Sequence, residues 1–211
     1  MLFRSSKIEQ LVLGMVSTNT WFLMNTESKE MVLLDPADEA ERIEQKIAQM
    51  EGIPKAVLLT HGHFDHMMAA EALQQRYGIS VYALREEKAL LENPGMNLSG
   101  LWAKPYSFTP DQWVTDGEEL SLAGFSIHVF HTPGHTAGSC CYYIKEEHVL
   151  FSGDTLFAGS VGRTDFPTSD GGKMRESVHF LLEKFPDETR VYPGHNEETT
   201  IGYEKRYNPF A

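Results

Sequence analysis

Thr60-His61-Gly62-His63-Phe64-Asp65-His66 carries four potential metal ligands within six residues. The segment follows the short apolar run Lys55-Ala56-Val57-Leu58-Leu59, which has β-strand character, so the ligands lie where a buried strand ends. Imidazole and carboxylate groups suit zinc, iron or manganese, and a tight loop brings them together with little further loss of entropy. A polar turn that is rich in histidine by chance is the weaker interpretation, because three histidines surround one carboxylate.

The composition favours one compact domain and argues against a nucleic-acid or membrane partner. The chain has 211 residues, enough to bury a substantial core, and we predict a single domain over residues 1–211. The formal net charge is −12, with 30 acidic and 18 basic residues. Nucleic acids and anionic membranes are bound mainly through Lys and Arg, so neither is an expected partner. The oligomeric state stays open.

The sequence favours a cytoplasmic protein. Residues 1–7 are followed only by the brief apolar run 11–16, without a small-residue cleavage pattern, which indicates a first strand rather than an export signal. No stretch approaches the ~20 apolar residues of a membrane helix. Cys140 and Cys141 are adjacent, which places them on opposite faces of a strand, and two cysteines are too few for a disulfide framework. We expect both to be packed thiols.

The first half of the chain mixes strand and helix patterns. In order, we expect three antiparallel strands (11–16, 20–24, 31–34), a helix (37–50), a strand (55–59), a helix (65–77) ended by Gly78, a strand (79–83) and a short helix (86–91). Asp35 ends the third strand, where it is either a turn former and helix cap or a group that steadies a metal-bound histidine. Residues 92–115 lose this periodicity and predict a long aromatic loop over the site or the core.

The second half repeats this rhythm, and three of its strands lead to potential ligands. Residues 119–122 and 125–130 predict a hairpin, after which the chain reaches His135; strand 149–153 leads to Asp154, and strand 190–194 leads to His195. A glycine-rich loop (159–172) and a helix (173–184) separate the last two. Strands that end in polar groups and alternate with helices predict layered α/β packing, with a site along one edge of the sheets.

The strand-end groups are too many for one tetrahedral zinc ion and suit two metals that share a carboxylate. We expect His61, His63 and His135 at one metal, Asp65, His66 and His195 at the other, and Asp154 between the two. Two divalent ions, most simply zinc but also iron or manganese, would share a hydroxide that attacks a carbonyl, with Asp65 and Asp154 as the carboxylates of the reaction. His128, His148 and His179 have no ligand partner nearby in sequence, and His131 is left outside the metal set.

These motifs resemble those of the metallo-β-lactamase superfamily. The resemblance rests on His61-Gly62-His63-Phe64-Asp65-His66, Thr132-Pro133-Gly134-His135, Ser152-Gly153-Asp154 and Pro193-Gly194-His195. The segments 153–157 and 162–167 and the ending Asn208-Pro209-Phe210 are similar to the short bacterial hydroxyacylglutathione-hydrolase-like, or glyoxalase II-like, branch. The resemblance implies an α/β fold, a four-layer αββα sandwich of two similar halves, with the same ligand division, a binuclear centre and thioester hydrolysis.

The substrate is defined less well than the centre. Glyoxalase II enzymes of the longer type carry a C-terminal helical domain that contacts glutathione, whereas this chain ends about 16 residues after His195, which leaves the thiol carrier open. Arg163 is a candidate contact for a substrate carboxylate, although an ion pair with Asp165 is the plainer expectation. The alternatives are a mononuclear iron persulfide dioxygenase, a lactone or other ester hydrolase, a flavodiiron-type module and a ribonuclease-like member.

Overall fold

A computed structural model describes residues 6–211, in which two six-stranded sheets are stacked face to face. The first sheet takes its strands in chain order: β1 (Ser6–Leu13), β2 (Thr18–Asn25), β3 (Glu30–Leu34), β4 (Ile53–Leu58), β5 (Ser80–Leu84) and β6 (Gln112–Val114). Strands β1 to β3 are antiparallel, as the sequence predicts, and β3 to β6 are parallel. Predictions for residues 1–5 lie outside the described part.

The second sheet is built from the other half of the chain. Its strands are β7 (Glu119–Leu122), β8 (Phe125–His131), β9 (Cys140–Ile144), β10 (Val149–Gly153), β13 (Arg190–Pro193) and β14 (Thr199–Thr200), in the spatial order β14-β13-β10-β9-β8-β7. The predicted hairpin of β7 and β8 is confirmed. A separate two-stranded hairpin, β11 (Leu156–Phe157) and β12 (Ser160–Val161), stands in the glycine-rich region.

Helices cover the outer face of each sheet. They are α1 (Ala40–Gln49), α2 (Ala70–Tyr77), α3 (Lys88–Leu91), α4 (Ser99–Trp102), α5 (Gly171–Lys184) and α6 (Ile201–Tyr207). The apolar side chains of α1 and α2 pack on the first sheet, and those of α5 and α6 pack on the second. The predicted αββα sandwich is therefore confirmed. No helix in residues 6–211 has the length and apolar character that a membrane crossing requires.

The alternation of side chains along each strand produces these layers. Phe22 and Met24 of β2 face the helices, whereas Trp21 and Leu23 face the second sheet. In β9, Cys140 packs between the sheets and Cys141 packs against the outer helices. Both cysteines are buried and free, so the prediction of packed thiols on opposite faces is confirmed.

Two predicted boundaries are wrong. The strand expected at 11–16 runs instead over Ser6–Leu13, because β1 pairs residue by residue with β2 and Leu13 is opposite Thr18. The intervening turn leaves Met15 70% and Val16 41% exposed. The helix expected at 65–77 begins only at Ala70, which is preceded by a 3₁₀ turn (Phe64–His66).

Tertiary hydrogen bonds delay the start of α2. The amides of Met68 and Ala69 donate to the carbonyl oxygens of Ala37 and Pro36 rather than to carbonyls one helical turn earlier. The segment is thereby tied to the connection between β3 and α1. At its other end, α2 is closed by Gly78 in the left-handed conformation (φ 64°), as predicted.

The segment 92–115 contains more regular structure than its sequence indicates. It contributes the short helix α4 and the edge strand β6, which pairs with β5. Asn97 holds the loop together, because its side-chain amide donates to the carbonyl of Tyr106 at 2.8 Å and its Oδ1 accepts from the Ser99 amide at 3.0 Å. Four-residue helices and three-residue strands are too short to produce a periodic pattern.

Candidate metal centre

The carboxyl ends of three strands, β4, β10 and β13, converge on one edge of the sandwich. The loop after β4 carries the four ligands of the histidine segment, and Asp154 and His195 follow β10 and β13, which are adjacent and parallel. His135 lies four residues beyond β8. The structure therefore brings together all seven groups that the sequence singles out, from both halves of the chain.

Four imidazoles form the buried part of this cluster. The His61 ring centroid lies 4.9 Å from that of His63, 4.0 Å from that of His66 and 4.8 Å from that of His135. His63 Nδ1 approaches His135 Nε2 to 2.9 Å. These four side chains are at most 3% exposed, so little of each ring is accessible to water.

Two carboxylates complete the cluster. Asp65 Oδ2 lies 3.4 Å from the Nε2 atoms of both His66 and His195. Asp154 reaches both sides, since its Oδ2 lies 3.4 Å from His135 Nε2 and its Oδ1 lies 3.5 Å from His66 Nε2. The expected position of Asp154 between two groups of ligands matches this geometry.

The centre contains polar atoms whose hydrogen-bonding capacity is not used. Within residues 6–211, His61 Nε2, His63 Nε2, His66 Nε2 and Asp154 Oδ1 are buried and have no hydrogen-bond partner. Such groups are rare in folded proteins unless something else satisfies them. Three sets of side chains have potential ligand atoms within 4.8 Å of one another: His61, His63 and His135; His61, His66 and Asp154; Asp65, His66 and His195. Nitrogen and oxygen donors in these sets fit divalent cations.

Hydrogen bonds from outside the cluster orient the imidazoles. His135 Nδ1 lies 2.8 Å from the Arg163 carbonyl oxygen, and His66 Nδ1 lies 3.0 Å from Asp35 Oδ2. Each acceptor favours a proton on Nδ1 and turns Nε2 towards the cluster. Asp35 does not cap α1, whose N-cap residue is Glu39. Of the two roles considered for Asp35, its side chain has the geometry of the one that steadies a histidine.

Burial and the neighbouring carboxylates shift the pKa values of the histidines in opposite directions. Burial lowers the pKa of His63 to about 3 and holds the pKa of His61 well below its usual value. Burial also lowers the pKa of His66, but Asp65 and Asp154 outweigh it and raise that pKa to about 9. Burial would raise the pKa of Asp154, yet His66 and His195 hold it well below its usual value. The carboxylates of the centre are therefore ionised at neutral pH.

Glu87 is a buried carboxylate that the sequence did not mark. It is 1% exposed, and it accepts hydrogen bonds from the amide of Gly62 at 2.9 Å and from the amide of Gly138 at 2.7 Å. Gly62 lies between His61 and His63, so Glu87 joins the histidine loop to the loop that follows His135. A single acidic residue within a short predicted helix gives no local sign of such a role.

A cleft of about 380 Å³ opens above the cluster. His63, Asp65, His135, Asp154 and His195 line its base, and the rest of the lining is largely apolar. The other histidines, His128, His131, His148 and His179, belong to none of the ligand sets found in residues 6–211.

Arg163 also lines the cleft and is paired with a neighbour. Its Nε donates to Asp165 Oδ1 and its terminal nitrogen donates to Asp165 Oδ2, both at 2.6 Å. The guanidinium carbon lies 3.9 Å from the Phe166 ring centroid. The internal ion pair that the sequence favours is thus present.

Comparison with known proteins agrees with this architecture. Residues 13–195 match the family model of the metallo-beta-lactamase superfamily. The chain belongs to this superfamily. Hydroxyacylglutathione hydrolase GloC of Haemophilus influenzae is 38% identical over 187 residues, which cover 87% of this chain and 88% of GloC. The chain is therefore similar over most of its length to a hydrolase of the superfamily.

Solved structures of the superfamily share the fold at comparable identity. The B3 metallo-beta-lactamase BLEG-1 is 40% identical with a TM-score of 0.92, and the match covers 97% of this chain and 99% of BLEG-1. TTHA1623 in a di-iron-bound form is 38% identical with a TM-score of 0.86, covering 96% and 100% of the two chains. ETHE1 from Myxococcus xanthus is 30% identical with a TM-score of 0.79, covering 96% and 83%. The protein is thus a metallo-hydrolase of this superfamily, and its cluster of His and Asp side chains suits divalent metals.

Proposed function

We propose that the protein hydrolyses small-molecule thioesters of the hydroxyacyl-thiol class, such as S-lactoylglutathione or an analogue, at a centre of two divalent cations. The observation that carries the proposal is the set of buried, unpartnered ligand atoms at the base of a substrate-sized cleft. Similarity to GloC, which is named a hydroxyacylglutathione hydrolase, supports the substrate class. The di-iron form of TTHA1623 supports two metals.

We propose that the ligands divide between the two cations as the sequence predicts, a division that corresponds to two of the three ligand sets described above. His61, His63 and His135 would hold one ion, and Asp65, His66 and His195 would hold the other, with Asp154 shared between them. Zinc suits this donor set, and iron or manganese would also fit. When bound, such ions lower the pKa of water towards ~7, polarise a carbonyl and stabilise an oxyanion.

The chain itself orients the reacting groups and keeps them in the correct protonation state. Thr18 donates to Asp65 Oδ2 at 2.7 Å, which fixes that carboxylate beside His195. Asp65 and Asp154 are ionised, because nearby histidines hold the pKa of each below its usual value against the opposing effect of burial. They are the groups that we expect to accept hydrogen bonds from an attacking water.

The chemistry of the leaving group supports a thioester rather than an amide as the substrate. A thiol has a pKa of about 8.5, so a thiolate can depart without a strong proton donor, whereas an amine cannot. The cleft is lined by ionised carboxylates and by histidines that serve as ligands. A departing thiolate needs no proton from these groups, whereas a departing amine does.

A substrate panel tests the proposal. Metal-loaded protein is mixed with lactoyl and acetyl thioesters, a lactone and a β-lactam, while free thiol and acid are measured. We expect one thiol and one carboxylic acid for each thioester and water consumed, at rates far above those for the other substrates. Absence of thioester hydrolysis in protein that is shown to contain metal would overturn the proposal.

A second candidate is a persulfide dioxygenase with a single iron, with which the similarity to ETHE1 is consistent. The same protein in an oxygen electrode separates the two reactions, because hydrolysis consumes no oxygen. Oxygen uptake that depends on an added persulfide would replace the thioester proposal with this one.

A further inference from the structure

The cleft above the centre offers an apolar wall to the part of the substrate beyond the reacting bond. Phe64, Trp102 and Phe166 form a continuous aromatic row, with ring centroids 6.4 Å apart for the first pair and 5.5 Å apart for the second. Leu98 and Val161 extend this surface. Trp102 is 47% exposed, so its indole is available to a ligand.

Apart from the two cations proposed for the centre, the described residues give this cleft no free positive group with which to bind an acid. Apart from histidines, Arg163 is the one basic side chain among the described residues that line the cleft, and Asp165 pairs with it through two hydrogen bonds. Lys104, two residues beyond Trp102, is exposed and does not line the cleft. A substrate carboxylate would therefore compete with the carboxylate of Asp165 for the Arg163 guanidinium.

The overall charge of the protein also disfavours an anionic carrier. The formal net charge is −12, and a negatively charged protein repels an anionic ligand over a distance that salt limits to about 8 Å under physiological conditions.

We propose that the thiol carrier of the substrate is uncharged and has an apolar or flat portion that packs against Trp102. The inference rests on the thioester hydrolysis proposed above and narrows its substrate class. A carrier with two carboxylates, such as glutathione, would find no free basic side chain among the described residues of the cleft, so the inference favours an analogue over S-lactoylglutathione itself. Aromatic packing and burial would supply the binding energy instead.

A matched pair of substrates tests the role of charge. S-Lactoyl-N-acetylcysteine carries one carboxylate, and the corresponding cysteine amide has nearly the same size without the charge. We expect kcat/KM to be about two- to fivefold higher for the amide, the size of effect that a surface charge pair produces. Added salt should narrow the difference by raising the value for the acid. Equal values, or a preference for the acid, would overturn the inference while leaving thioester hydrolysis intact.

The ion pair is tested by Asp165→Asn, with Glu27→Gln as the control. Both variants remove one negative charge, but Glu27 is exposed in the turn after β2, at the opposite end of that strand from Thr18 and Asp65. Asp165→Asn frees Arg163, so kcat/KM for the acid should rise about three- to fivefold while that for the amide stays constant. If kcat/KM for the acid changes equally in both variants, the Asp165–Arg163 ion pair does not control binding of the substrate carboxylate.

The aromatic contact is tested by Trp102→Ala, with Leu101→Ala as the control. Leu101 belongs to the same short helix, is 70% exposed and does not line the cleft. We expect Trp102→Ala to raise KM for the amide substrate about five- to tenfold with little change in kcat. An unchanged KM in a folded variant, shown by circular dichroism, would mean that the carrier does not pack there.

Discussion

Asp35 Oδ2 lies 3.0 Å from His66 Nδ1 and accepts a second hydrogen bond, of 2.7 Å, from the Thr60 hydroxyl. Asp35 Oδ1 accepts from the Thr60 amide, also at 2.7 Å. The carboxylate is thus fixed by three contacts and presents an acceptor to the histidine. Because Asp35 follows β3 and His66 lies in the loop after β4, two neighbouring parallel strands hold the imidazole in place.

Replacement of Asp35 by asparagine should weaken metal binding. The amide keeps one acceptor for Thr60 but turns a donor towards His66 Nδ1, which favours the wrong tautomer. We expect the affinity of the centre for zinc to fall about 10- to 100-fold. Competition with a chromogenic chelator measures it, and Asp38→Asn, an exposed site three residues away, is the control. Equal affinities in the two variants would show that this contact does not orient His66.

Glu87→Gln should destabilise the protein, because one of the two loop amides would then face an amide donor. The expected decrease in the free energy of unfolding is about 1–3 kcal/mol for a buried group left without its partner. Urea unfolding of the metal-free protein measures this loss. Glu86→Gln, a change at the exposed neighbouring residue, should be close to neutral. A small effect in both variants would contradict the role given to Glu87.

The two cysteines should be inert in the folded protein. Burial raises the pKa of Cys141 to about 12 and that of Cys140 well above its usual value. The thiols therefore stay protonated as the pH rises through the range in which free cysteine ionises. We expect negligible labelling by a thiol-disulfide reagent at pH 8, and two labelled groups per chain after denaturation. Rapid labelling of the native protein would mean that β9 opens easily.

Different metal ions should stabilise the fold to different extents, according to how well each ion binds imidazole nitrogen. Zinc, which binds imidazole well, should raise the melting temperature most, and manganese, which prefers oxygen ligands, should raise it less. Magnesium, which prefers oxygen ligands and keeps its water, should raise it little. At a hundredfold excess over the dissociation constant, the gain is about 2.7 kcal/mol. Differential scanning fluorimetry after chelator treatment measures it. An equal shift with magnesium would indicate a carboxylate site elsewhere instead.

Much of this molecule can be predicted from its sequence, because the strongest signals are local. The apolar runs before His61, Asp154 and His195 predict buried strands, and parallel strands bring their carboxyl ends to one edge. The resemblance of these motifs to those of the metallo-β-lactamase superfamily implies the αββα sandwich, which the structure confirms. The same logic places His135 with them, although only the structure gives its 2.9 Å contact with His63.

Features that depend on residues far apart in the chain cannot be predicted in this way. The delayed start of α2 depends on hydrogen bonds to Ala37 and Pro36, about thirty residues earlier in the chain. Glu87 acquires its role from Gly62 and Gly138, which lie 25 and 51 residues away. Neither relationship has a local pattern, because each arises only when separate loops pack together.

The number of metal ions per chain tests the divided centre most directly. Protein saturated with zinc, then freed of unbound metal, is analysed by mass spectrometry for metal and by amino-acid analysis for protein. The control is His179→Ala, which removes an exposed histidine on α5. We predict two ions per chain in the wild type and in this control, and one in Asp65→Ala. A single ion in the saturated wild type, or an undiminished count in Asp65→Ala, would contradict the account.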